Sequence, residues 1–167
     1  GDEDQGNYHV TYNAGKFEIT PKSIIPVTPE EPGEDANITV ETPEDVKYNG
    51  ESQQQKPVIK DDKGNVLEEG KDYTLEFSED TTNAGTVTVT VTGTNNYEGT
   101  FDVHYDILPR EITMTSGNAE KVYDGTALTN GEIVITGDGF VVGEGVTYNV
   151  TGTQTAAGSS ANTFDYA

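Results

Sequence analysis

Apolar and polar residues alternate along most of this chain with the two-residue period of half-buried β-strands. The clearest run is 86–92, Thr-Val-Thr-Val-Thr-Val-Thr, which puts Val87, Val89 and Val91 on one face and threonines on the other. Tyr73, Leu75 and Phe77 alternate likewise, as do Phe101, Val103, Tyr105 and Ile107. That last strand stops at Leu108-Pro109, because proline cannot donate to a ladder. Val58 and Ile59 lead through Asp62-Lys63-Gly64-Asn65, a turn signal, into Val66 and Leu67. Further strands are marked by Ile112 and Met114, Ile133 and Ile135, Val146, Tyr148 and Val150, and Phe164 and Tyr166. Near the start, 8–12 and 16–20 read as two short strands joined by Asn13-Ala14-Gly15, a hairpin that needs something to pack on.

Between the tail and the main strand pattern lies 24–36, IIPVTPEEPGEDA, with Pro26, Pro29 and Pro32 three residues apart among four acids. Proline at that interval favours an extended polyproline-like path, so this reads as a semi-rigid linker. The same P-x-x-P spacing also occurs in peptide-recognition ligands. Gly1 is set aside as an expression remnant.

Composition reinforces the strand reading. Twenty-four threonines, 16 valines and 9 isoleucines stand against 4 leucines and 1 methionine, and β-branched residues lose side-chain freedom in helices. Thirty acids against 9 basic residues give a net charge of -21. Such a surface repels nucleic acid and anionic lipid. No stretch approaches the roughly 20 apolar residues of a membrane helix, so membrane insertion is not expected. With no cysteine there is no disulfide framework, thiolate metal site or thiol nucleophile.

The strand pattern from residue 37 onward occurs twice, at a spacing of about 75 residues. Ile38-Thr39-Val40 matches Ile112-Thr113-Met114, and Tyr48-Asn49-Gly50 matches Tyr123-Asp124-Gly125. Gly70 through Tyr73 matches Gly145 through Tyr148, and Ala84-Gly85 matches Ala157-Gly158. Asn-Gly and Asp-Gly tolerate the positive φ of tight hairpin turns, so Tyr48, Asn49, Gly50, Tyr123, Asp124 and Gly125 are read as structural turns, the tyrosines as anchors.

The run Lys121-Val-Tyr-Asp-Gly-Thr-Ala-Leu-Thr-Asn130, with Gly137-Asp-Gly-Phe140 after it, resembles the YDG-type repeat of bacterial surface adhesins. Tyr48-Asn-Gly50, Gly70-Lys-Asp-Tyr-Thr74, Asn83-Ala-Gly85 and Asn96-Tyr-Glu-Gly99 resemble the mostly-β, immunoglobulin-like repeats of the same proteins. The resemblance covers roughly 37–167, and 1–22 is similar to the end of another such repeat. It implies a secreted bacterial protein attached to the cell wall through regions outside this fragment, with no catalytic residues.

The expected fold is all-β: tandem immunoglobulin-like or grasp-like antiparallel β-sandwich modules. Residues 1–23 would be the closing strands of a preceding or permuted module and 24–36 the linker. Residues 37–109 would form a complete module, and 110–167 a second one lacking its last strands. An unfinished module of this size exposes a sheet edge. Residues 5–21 are therefore expected to complete 110–167, within one chain or between chains as a strand-exchanged dimer or filament.

Chemistry is sparse. His9 and His104 lie far apart in strands, and no nucleophile elbow, zinc-protease motif or phosphate loop is present. No catalytic, cofactor or transition-metal residues are assigned. Asp2-Glu3-Asp4, Asp61-Asp62 and Glu79-Asp80 offer oxygen ligands for a structural calcium, without EF-hand spacing. Lys47 and Lys121 are the only lysines considered for an isopeptide crosslink, which needs a buried lysine of lowered pKa. The functional expectation is a non-enzymatic stalk or adhesion repeat whose partners are neighbouring repeats. The alternative is a module binding host glycan or protein through exposed loop aromatics, Tyr97, Phe140 and Tyr148.

Overall fold

A computed structural model describes residues 3–5, 7–26 and 38–167. Among these the chain is all-β, with no helix. The strands are β1 (Glu3–Gln5), β2 (Tyr8–Val10), β3 (Lys22–Ser23), β4 (Thr39–Glu41), β5 (Val46–Lys47), β6 (Val58–Lys60) and β7 (Tyr73–Phe77). They continue with β8 (Gly85–Gly93), β9 (Tyr97–Glu98), β10 (Thr100–Leu108), β11 (Ile112–Ser116), β12 (Ile133–Gly137), β13 (Tyr148–Val150) and β14 (Phe164–Tyr166).

The sequence repeat is a repeat of pairing. β4 pairs antiparallel with β6, Val40 opposite Ile59, and β11 pairs antiparallel with β12, Met114 opposite Ile135. β7 lies beside β8, and β13 beside β14 with Val150 opposite Phe164. Even an irregular contact recurs. Gln53 N–H donates to the Thr81 carbonyl at 2.8 Å, and Leu128 N–H to the Gln154 carbonyl at 2.8 Å.

The copies then diverge. The first carries β5 and β10 in a four-stranded sheet of order β5-β10-β8-β7. β10 runs parallel to β5, Ile107 opposite Val46. In the second copy β13 and β14 form a sheet of their own, and Lys121-Val122, counterparts of β5, lie in no strand. Burial follows the same division. Val87, Val89, Val91, Val103, Tyr105 and Ile107 are all buried, whereas no residue of 110–167 is.

Two compact units are present. One takes in the described residues up to Glu41 with Val58–Glu76 and Thr90–Phe101; its core is Ile24, Ile38, Ile59, Leu67, Tyr73 and Val91. The other comprises Thr42–Pro57, Phe77–Val89 and Asp102–Ala167. Their bounds differ from the repeat bounds at 37–109 and 110–167, since β8 and β10 contribute residues to both.

Several expectations require correction. The pairing is not wholly antiparallel: β5–β10 and β3–β9 are parallel pairs, because strands distant in sequence meet side by side. The first hairpin is β1 with β2, Glu3 opposite Val10, and 11–21 carries no strand. Pairing Tyr8–Val10 with a nearer segment closes a shorter loop at lower entropic cost. No residue of 11–21 takes part in a ladder. Instead Lys22 N–H donates to the Asn96 carbonyl and Ile24 N–H to the Glu98 carbonyl, both at 2.8 Å. Ile24 is fully buried, so the expected linker starts inside a core; its residues 27–36 lie outside the described ones.

Candidate functional site

The second unit holds a polar clamp where the first repeat's turn meets the start of the second. It is built on Arg110, the chain's one arginine, directly after Leu108-Pro109. Its Nε donates to the Gly139 carbonyl at 2.6 Å, its Nη1 to the Tyr48 carbonyl at 3.4 Å and its Nη2 to the Asp138 carbonyl. A planar guanidinium offers such donors in a rigid fork, which a lysine cannot. Asp138 completes the arrangement. Its Oδ1 accepts from Lys47 Nζ at 2.7 Å and its Oδ2 from Glu111 N–H at 2.8 Å. The Lys47 hydrogen bond foremost, then the Glu111 amide, holds the Asp138 carboxyl below the usual carboxylate range.

Tyr48 adds a further tie, donating its hydroxyl to the Glu144 carboxylate. That bond pushes the phenol above its ordinary pKa, with burial and the Glu144 charge adding to it. Beneath these groups Gly50 approaches Val141 closely. A Cβ at Gly50 would lie 2.8 Å from Val141 Cγ1.

The six predicted turn residues form matched local structures. Gly50 has φ +83° and Gly125 φ +80°. Asn49 Oδ1 accepts from Glu51 N–H at 2.8 Å, and Asp124 Oδ1 from Thr126 N–H at 2.9 Å. Neither turn joins two paired strands, so these are Asx turns rather than hairpin turns; the side chain supplies the closure a ladder would otherwise give. Tyr48 is an anchor through Glu144, whereas Tyr123 is largely exposed.

The predicted aromatics are not gathered. Tyr97, on β9, packs against the first unit's core, and burial pushes its phenol up. Phe140 and Tyr148 belong to the second unit and are partly exposed. Phe140 lines a hollow of about 300 Å³ with Tyr48, Ala84, Pro109, Val141 and Glu144.

The acidic runs are engaged in turns. Asp61 accepts from the backbone of Lys63 and Asn65, Asp80 from that of Thr82 and Asn83, and Asp62 pairs with Lys22 at 3.0 Å. Among the described residues no group of three or more metal-binding side chains converges. The side chains of Asp2, Glu3 and Asp4 lie outside them. Of the two lysines considered for a crosslink, Lys47 is half exposed in its ion pair, and Lys121 binds Asp124 and Thr126. His104 Nδ1 meets Thr88 Oγ1 at 3.1 Å.

Lys47, Arg110, Asp138 and Glu144 were not singled out together by sequence reasoning. The one available signal was a lone arginine at the repeat boundary of a strongly acidic chain. Compared with protein-family models, curated proteins and solved structures, the chain matches nothing.

Proposed function

We propose that this chain is a tension-resisting, non-enzymatic stalk or adhesion segment of an extracellular bacterial surface protein, attached to the cell wall through regions outside it. Its repeats would be open sandwich or grasp-like modules, with neighbouring repeats as their first partners. The observation that carries this reading is the parallel pairing of β5 with β10. Tension along the chain draws β5 toward its N-terminal end and β10 toward its C-terminal end. In a parallel pair those directions oppose, so the bridging hydrogen bonds are loaded together in shear. The β3–β9 pair has the same sense. Arg110 and Asp138 reinforce the chain where it leaves β10. Single-molecule stretching from the two ends tests this. Roughly 60 residues lie behind the β5–β10 pair, so once β3–β9 has parted its rupture should release about 200 Å of chain in one step. Gradual lengthening without a force peak would refute the proposal.

The hollow beside Phe140 supports a second reading, a module that binds host glycan or protein. Its partly exposed ring and apolar neighbours give a ligand a surface to stack on. Glycan-array binding that survives Phe140→Ala and Tyr148→Ala would contradict it.

A further inference from the structure

Two tripeptides in this chain are identical, Asn49-Gly50-Glu51 and Asn130-Gly131-Glu132. Each opens with an Asx turn: Asn49 Oδ1 accepts from Glu51 N–H at 2.8 Å, and Asn130 Oδ1 from Glu132 N–H at 2.9 Å. Asparagine before glycine is open to attack on its own side chain, because glycine has no Cβ to shield the backbone nitrogen that follows. The bond to Oδ1 also polarises the side-chain carbonyl and leaves its carbon more electrophilic. Local sequence and local turn thus give the two asparagines the same reactivity, and only their surroundings set them apart.

Asn130 is half-buried and held at two further points. Its Nδ2 donates to the Asn118 carbonyl at 3.0 Å, and its own carbonyl accepts from Asn162 Nδ2 at 2.9 Å. The first bond ties the group that would have to leave. The second pins the 130–131 peptide, which must turn before its nitrogen can reach the side chain. A Cβ at Gly117 would lie 2.6 Å from Asn130 Nδ2, so the amide rests close against that backbone. Asn49 is exposed. Among the described residues its Nδ2, its carbonyl and the Gly50 N–H have no hydrogen-bond partner.

We propose that Asn49 is a site of spontaneous covalent modification, deamidation through a cyclic imide, and that the fold keeps Asn130 intact. The Gly50 backbone nitrogen bonds to Asn49 Cγ, the Cγ–Nδ2 bond breaks, and Nδ2 leaves as ammonia with the proton from the Gly50 nitrogen. Water then opens the imide at either of its carbonyls, giving aspartate or isoaspartate. The aspartate product keeps the turn, as the second repeat shows: Asp124, the counterpart of Asn49, accepts from Thr126 N–H at 2.9 Å in the same way. The isoaspartate product lengthens the main chain by one carbon. That carbon falls between the Tyr48 carbonyl, which Arg110 binds, and Gly50, which lies against Val141. The modification thus acts on the clamp at the repeat boundary, and each event adds one negative charge there.

Peptide mapping of the full chain, after incubation at neutral pH in heavy-oxygen water, reads both sites at once, because the water labels every product formed during the experiment. The Asn49 peptide should take up the label and split into two products of equal mass. Asn130 should convert more slowly by about tenfold or more, the factor that one net hydrogen bond carries. In strong denaturant the surroundings are gone, and the two identical tripeptides should convert at comparable rates. An Asn49 that stays intact in the folded chain, equal conversion of Asn49 and Asn130 there, or a difference that persists in denaturant would each overturn the proposal.

Discussion

Ile59 and Ile135 are the same residue at equivalent register positions, one opposite Val40 and the other opposite Met114. Their surroundings differ: Ile59 is 0% exposed and Ile135 is 39% exposed. Shortening either to alanine removes three carbon groups, worth about 2.4 kcal/mol if all were buried. At Ile59 the full transfer cost applies. The closed surroundings of Leu67, Tyr73 and Val91 also leave a cavity, which brings the expected loss to about 3–4 kcal/mol. At Ile135 roughly six-tenths of the transfer cost applies and water reaches the vacated space, so the loss should be about 1.5 kcal/mol. Urea titration followed by far-UV circular dichroism measures both, with m-values checked for each variant. Losses within about 0.5 kcal/mol of each other, a gap small beside the cavity term, would refute the claim that only the first copy closes a core.

The clamp and turns give three more outcomes. The Asp138 carboxyl has a lowered pKa, so it stabilises the fold above its unfolded pKa, and that stability disappears as pH falls through the folded value. Asp138→Asn should therefore lower the urea midpoint at neutral pH and narrow the difference between neutral and acid midpoints; an unchanged difference would remove Asp138 from the account. Gly125→Ala, at φ +80° with open space around it, should cost about 1–2 kcal/mol by calorimetry. Gly50→Ala should cost more by about 1–3 kcal/mol, because its Cβ meets Val141, and equal losses would count against that close approach.

What the sequence made legible was local. The alternation in 86–92 has a fixed meaning, and β8 spans it with all three valines buried. β7 coincides with the predicted 73–77 run, and Asp61 closes the turn expected around Lys63-Gly64. The repeat was readable because glycines with positive φ and their Asx neighbours leave a residue signature. Illegible features depend on distant partners. Two-residue strands such as β3 and β5 carry no period, and their parallel neighbours lie some 60–75 residues away. The clamp ties Arg110 to Gly139, Tyr48 and Asp138 through backbone carbonyls, which have no sequence identity, and Lys47 reaches a carboxylate 91 residues away. In the tail, alternation alone did not fix which segment Tyr8–Val10 would pair with.

Residue-resolved amide hydrogen exchange tests most directly whether the buried core belongs to the first repeat and not to residues 110–167. Amides of β8 and β10 should exchange only through global unfolding, whereas those of 158–163 and 121–123 should exchange orders of magnitude faster. Equal protection at the two sets of positions would contradict the account.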